Sequence, residues 1–364
     1  HFTLDNLVSL VNSELESLAP SNSKILIADT TGFEAYVTEN NPKFFENKLA
    51  NAKSFLKSGL AKDNFDPVKY AQSKMPKYAA SNKDISLAYL NGHFGYYLKS
   101  MILTNGLGIV QDIQFPDAIQ DFYHSRMPQN IKDEYDSTTL IPSLELFFSK
   151  QSPNNFDFFL GDAGFDGYDN YKYVSNKNMI PIIPLNQRNK GVQSFSHRYS
   201  KDNEHSKFFF NSQGNLICRF TNLSMKPLGP INSSKRADRF SYGCPLTDTH
   251  MVKGSIISTN TCSNPCSSAR YGRKVNIALD EEYRFNSTFP RDSITWKNLY
   301  KTRTVCERAI GQLKDFINIK GSHIQNTTSL KSTILLAGIS QLIGVLIMIR
   351  SNHLAHLRAF KTAA

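Results

Sequence analysis

The sequence predicts an α/β fold, with a mixed sheet flanked by helices and a β-rich insertion ahead of a late helix. Three observations predict it. The apolar runs KILIADTTGF (24–33) and NFDFFLGDAGFDG (155–167) each lead into an aspartate and read as buried strands. Between them, ISLAYLNGHFGYYLKSMILTNGLGIVQDIQF (85–115) carries two strand-like runs joined by TNGLG, a hairpin signal with its Asn-Gly turn. Helical periodicity is weak over 186–290 and returns after it.

Residues 1–23 read as an N-terminal helical segment, with a short helix over 2–17. The first part of the core spans 24–185. It opens on the strand 24–33, in which Ile25, Leu26, Ile27 and Ala28 lead to Asp29. Residues 42–82, rich in Lys, Asn and Ser, read as surface helices or loops, and 116–151 alternates in helical fashion. The strand before Asp162 and the strand MIPIIPL (179–185) complete a βββαβαβ-like order.

Residues 186–290 hold four of the five cysteines, and pieces such as SKFFFNS and NLICRFT alternate with turn residues. They read as a β-rich basic insertion. Residues 291–364 return to the core with helices. The first starts after Ser293 or Thr295, either of which can cap it. The apolar run TILLAGISQLIGVLIMI (333–349) is short for a membrane span of roughly 20 residues and holds Ser340 and Gln341. It reads as a buried helix.

Bulk properties narrow the function. With 364 residues, 40% hydrophobic and 20% charged, the chain can bury a real core, which excludes global disorder. The net charge is +11 and unevenly spread. Residues 1–171 carry 14 Lys and Arg against 21 Asp and Glu, whereas 172–364 carry 28 against 10. A basic second half suggests a polyanionic partner. Within it, 172–253 has 13 basic against 4 acidic residues, suited to phosphate contacts that supply affinity and register. Five cysteines without a signal peptide point to a reducing compartment. The chain opens on His1 rather than Met, as a fragment lacking its start would.

The chemistry-bearing residues are three acids. A carboxylate at the C-terminal end of a central strand points into the crevice where open α/β sheets bind ligands, and Asp29 and Asp162 both read that way. Glu307 lies in YKTRTVCERAIGQLK (300–314), a lone acid among cations. At about 100° per residue, Tyr300, Arg303, Glu307 and Lys314 share one face of a helix, while Val305, Ala309, Leu313 and Phe316 form its apolar back. Two strand carboxylates and one helix carboxylate form a hard-oxygen set suited to Mg²⁺. The plain alternative is a solvated face with an Arg303–Glu307 pair.

Asp29, Asp162 and Glu307, with Tyr300-x2-Arg303-x3-Glu307-x6-Lys314, resemble the DDE transposases of bacterial insertion sequences, in the group with the Tyr–Arg–Glu–Lys signature. The resemblance runs from Asp29 to about Ile349. It implies an RNase H-like catalytic domain, Mg²⁺ or Mn²⁺ on the three acids, and cleavage at transposon ends followed by strand transfer into target DNA. It further implies a homodimer acting on DNA in the cytoplasm, associated with the nucleoid, with no membrane and no small-molecule substrate. Tyr300, Arg303 and Lys314 then become DNA contacts. Two other readings share these features: an RNase H-fold nuclease that only cuts, and a catalytically silent DNA-binding descendant.

Other residues carry weaker signals. Trp296 can stack a flipped base or pack the helix start. Asp166, beyond the strand, reads as a turn or supporting residue, and His93 as structural. Cys262-x3-Cys266 has the spacing of half a structural zinc site, to which Cys218 and Cys244 could contribute, with reduced thiols as the alternative.

Overall fold

The computed structural model describes residues 2–58, 64–90, 93–123, 136–186, 204–231, 239–252, 255–278, 283–284, 289–316 and 323–357. The rest of the 116–151 and 186–290 stretches lies outside the described residues. The chain forms two compact units. The first comprises His1–Glu134, Pro142–Gln151 and Thr304–Ala364, and the second comprises Tyr135–Ile141 and Ser152–Arg303.

The first unit opens with α1 (Phe2–Leu18), which buries Leu4, Val8, Val11 and Leu15 at helical spacing. A short helix, α2 (Pro20–Ser23), leads into β1 (Ile25–Glu34). Helices α3 (Pro42–Lys57) and α4 (Pro67–Ser73) follow, each with Pro in its first turn and a side-chain cap, Asn41 and Asp66 respectively.

Three antiparallel strands come next: β2 (Ser86–Leu90), β3 (His93–Asn105) and β4 (Val110–Gln114). The 85–115 stretch thus holds three strands where two were expected. The extra division falls at Asn91-Gly92, outside the described residues. The expected TNGLG turn is present, and its chemistry is specific. Asn105 Oδ1 accepts from Leu107 N at 3.0 Å and Ile109 N at 3.1 Å, satisfying the turn's donors. Gly108 takes φ +77°, which a side chain would resist.

β1 pairs with β3 along Leu26–Glu34. This corrects the expectation that Asp29 ends its strand. Asp29 lies opposite Ile102, and Thr30, Thr31, Gly32 and Phe33 continue the ladder against Met101, Ser100, Lys99 and Leu98. Two β-branched threonines suit that continuation. Gly32 is needed there, because a Cβ would lie 2.7 Å from the Tyr97 ring.

After α5 (Pro116–Tyr123) and the part of α6 (Asp136–Phe148) from Pro142 on, the unit closes with α9 (Thr304–Phe316) and α10 (Thr327–Arg350). α10 is long and apolar enough to cross a membrane by length and composition. In this fold it packs on α1, β4 and α9 and buries Leu330, Ile334, Ala337, Leu342 and Val345. Its polar Gln341 is accounted for: Oε1 accepts from Val110 N at 2.9 Å and Nε2 donates to Gly108 O at 3.1 Å.

The second unit contains β5 (Phe158–Leu160) and β6 (Ile180–Ile182), a parallel pair joined by α7 (Tyr168–Asn176). Among the described residues from 204 to 278 there are strands and no helix: β7 (Phe208–Phe210) with β8 (Leu216–Cys218), β9 (Lys226–Ile231) and β13 (Lys274–Ala278) on either side of β10 (Arg239–Gly243), and the hairpin of β11 (Thr247–Val252) with β12 (Ser255–Asn260). Phe208, Phe210, Leu216, Met225, Phe240, Tyr242 and Ile277 form their shared core. α8 (Ile294–Lys301) ends the unit, capped by Ser293, whose Oγ accepts from Trp296 N at 3.1 Å.

Candidate active site

In the first unit, α9 lies against β1 and β3. Two contacts set its direction. Gly108, just past the β3 residue that pairs with Leu26, approaches α9 so closely that a Cβ would meet Val305 O at 2.8 Å. At the other end, Lys314 Nζ donates to Thr31 Oγ1 at 2.8 Å and lies 5.7 Å from the Phe33 ring centre. α9 therefore runs in the same sense as β1, and Asp29 and Glu307 both fall in the span between these contacts. Asp29 and Thr31 share one face of the strand, since side chains alternate. Glu307 and Lys314, seven positions apart, share one side of the helix. Asp29 is half-buried and Glu307 is exposed. Val305, Cys306, Ala309, Ile310 and Leu313 form the buried back of α9.

The expected single helix through Tyr300 and Lys314 is two helices. Tyr300 lies in the last turn of α8, Thr302 and Arg303 form a turn, and Glu307 and Lys314 lie on α9. Thr302 N and Arg303 N bond back to Leu299 O and Tyr300 O, both at 3.0 Å, tightening the chain to three-residue spacing. Three β-branched residues, Thr302, Thr304 and Val305, lower helix propensity at the break.

In the second unit, Asp162 lies two residues beyond β5 and caps the single turn Ala163–Phe165, its Oδ1 accepting from Gly164 N at 2.8 Å. Burial pushes its carboxyl above the usual value of 3.8. The Arg303 guanidinium, 3.9 Å from Oδ2, acts against that, as does the Gly164 hydrogen bond, while Asp136 adds to the rise. The turn residue Arg303 thus stands beside one of the expected acids. Trp296 is buried, and its ring stacks on Tyr300 at 5.0 Å and 17°. Its face toward Tyr300 is therefore already covered.

Asp166 proves to be structural. It is 3% exposed and accepts a two-pronged contact from Arg284, Nε to Oδ1 and Nη2 to Oδ2, both 3.0 Å. Asn186 N adds a third bond at 2.8 Å. Arg291 ties this pair to the parallel strands through Arg284 O, Ile183 O and the Tyr171 hydroxyl. This network holds the segment that follows Asp162, and its arginines gave no local signal in the sequence. His93 is exposed and lies 2.7 Å from the Tyr97 hydroxyl.

The zinc expectation is not supported. Cys218, Cys244, Cys262 and Cys266 are all free, and Cys218 is packed in the apolar core of the insertion. Among the described residues no three His, Cys, Asp or Glu side chains gather as a ready metal-binding group. For a divalent ion, the chemistry of the expected acids is nonetheless suitable: Asp162 is a partly desolvated oxygen donor, and Asp29 is a half-buried one beside a helix that carries Glu307.

The profile of the transposase DDE domain matches residues 129–339. The chain belongs to this transposase family. The matched stretch contains Asp162, Tyr300, Arg303, Glu307 and Lys314, while Asp29 precedes it. Comparison with curated proteins gives no match. The α/β fold is that of an RNase H-like transposase domain, and the family acts on DNA with divalent metal ions.

Proposed function

We propose that this transposase cuts DNA at transposon ends and joins the freed strand to target DNA, as a member of the group with the Tyr–Arg–Glu–Lys signature. The observation that carries this is the family match over Asp162 and Glu307, taken with the shared span of Glu307 and Asp29 along β1. Asp29, Asp162 and Glu307 would hold Mg²⁺ or Mn²⁺, which when bound activates water and offsets charge on the leaving oxygen.

The chain's own groups supply positioning. Arg303 can present a fork to a phosphate next to Asp162, and Lys314 a point charge on the side of α9 that carries Glu307. Tyr300, backed by Trp296, can donate its hydroxyl to a phosphate near the cut. The basic residues of 172–253 contribute phosphate contacts independent of sequence. A homodimer bringing two ends together fits the reading.

The test uses purified chain with DNA taken from the flanks of its own gene. Mg²⁺-dependent nicking at inverted repeats, and joining of precut ends to a target plasmid, are expected. Nicking without joining would reduce the function to a nuclease. Neither activity, with DNA binding intact, would leave a silent binding protein.

A further inference from the structure

The first unit contains a second carboxylate-lined site, remote in character from the one just described. A cleft of about 370 Å³ is lined by Glu34, Glu39, Phe45, Met75 and Tyr96, among others. That volume lies in the range of small-ligand sites, about 300–1,000 Å³. Glu34 ends β1, five positions beyond Asp29, so the alternation of the strand directs the two carboxylates to opposite faces.

Glu39 is the unusual member. It lies in the single turn Thr38–Asn40 and is 6% exposed. Its Oε1 accepts from Ala80 N at 2.9 Å, while Oε2 is buried with no hydrogen-bond partner. An unmatched carboxylate oxygen away from water is costly and attracts a donor with positive charge. The turn is firmly built. Asn40 Nδ2 donates to Ala35 O at 2.8 Å and Tyr96 O at 2.9 Å, and its Oδ1 accepts from Tyr96 N at 2.8 Å. The Tyr96 hydroxyl cannot serve Glu39, because it donates to Pro76 O at 2.6 Å. Burial, followed by the charge of Glu39, pushes that hydroxyl up to about 12.

Among the described residues neither Glu34 nor Glu39 has an ion-pair partner, and although His93 lines the same cleft, no three metal-ligating side chains gather to hold an ion. A bare divalent ion would lack ligands here. The rest of the wall is mixed: Phe45, Met75, Leu87 and the Tyr96 ring give it an apolar side, and Asn40, Asn41, Gln72 and His93 a polar one. Such a cleft suits a cation that brings its own apolar stem.

We propose that this cleft binds a guanidinium or alkylammonium group on an apolar stem, with the head at Glu39 and Glu34 and the stem along Phe45, Met75 and Tyr96. The group can belong to a free amine or to an Arg or Lys side chain of a polypeptide.

Titration calorimetry on the full chain tests this without reference to the DNA reaction. Butylguanidinium should bind about tenfold more tightly than its neutral isostere butylurea, the factor set by one charge-assisted hydrogen bond. Glu39→Gln should remove that preference. Glu34→Gln, at a half-buried position, should weaken it several-fold and serves if the first variant folds poorly. An acetyl-Ala-Arg-Ala-amide arm identifies the source: tighter binding than butylguanidinium supports a polypeptide ligand, and weaker binding supports a free amine. Equal affinity for the charged and neutral probes, or a preference that survives both substitutions, would overturn the proposal.

Discussion

Lys314 of α9 reaches β1 through a 2.8 Å hydrogen bond to Thr31, two residues beyond Asp29. This bond fastens the helix that carries Glu307 to the strand that carries Asp29. It joins the opening strand of the unit to a helix 283 positions later. The helix is held from below by Val305, Ala309 and Leu313, so the bond sets its position along the strand more than its attachment.

Thr31→Val tests that relationship. It keeps the β-branched shape and removes the acceptor. The expected loss is about 1 kcal/mol, the usual net worth of one hydrogen bond. Chemical denaturation should show it as a lower midpoint with unchanged slope. A larger fall in DNA nicking than in stability is expected, because α9 can then shift along β1. Nicking that stays at the wild-type level would show that the bond does not position Glu307.

Asp162 and Asp166 should part company in stability. Asp166→Asn leaves Arg284 buried without its charge partner, and breaking such a pair costs about 3–5 kcal/mol. Asp162→Asn removes a carboxylate that burial already disfavours, so folding should change little or improve slightly. Thermal unfolding of both variants separates them. Equal melting temperatures would contradict the assignment of Asp166 as a structural ion pair.

Asp112 gives a pH signature unrelated to the DNA chemistry. It is fully buried on β4, and burial pushes its carboxyl above 3.8, against the pull of Lys150 and of the hydrogen bond from Gln114 and with a small push from Asp5. The folded state thus favours the protonated acid. The stability this contributes is present at low pH and is lost as pH rises through the raised value. Asp112→Asn does not titrate there. The melting temperature of the variant minus that of the wild type should therefore grow from pH 4 to pH 8. A constant difference would show that Asp112 stays at its ordinary value.

Local signals proved readable where local forces decide. Ser293 caps α8 because a hydroxyl three residues before a free backbone N–H is enough. The buried positions of α1 follow from spacing alone. Asp29 was misplaced at a strand end because its ladder depends on Met101, Ser100 and Lys99, which no local window contains. The partner of Asp166 lies 118 positions away, and Arg284 looks like any other cation of the basic insertion. The break at Thr302–Arg303 was within reach, since three β-branched residues mark it, but the shared face of Tyr300, Arg303, Glu307 and Lys314 ran across it.

Chemistry and binding should separate within the motif itself. Glu307→Gln keeps volume and hydrogen bonding but removes the charge that would hold a metal ion. Glu307 is exposed and α9 is secured by its buried back, so the variant should fold normally. Its Mg²⁺-dependent nicking should vanish while DNA affinity holds or rises slightly. Asp29→Asn should lose activity to a similar degree, and the double variant should be no worse, because groups acting as one unit do not add. Arg303→Ala and Lys314→Ala should behave differently. Each removes one phosphate contact, so affinity should fall for all sequences alike, and the slope of log affinity against log salt should drop by about one. Lys314→Ala also loses the bond to Thr31 and should unfold slightly earlier. Gel-shift titrations over a salt series, run beside nicking assays, measure both quantities on the same preparations. A salt slope untouched by either substitution would remove Arg303 and Lys314 from the DNA interface, and full nicking by Glu307→Gln would remove Glu307 from the reacting site.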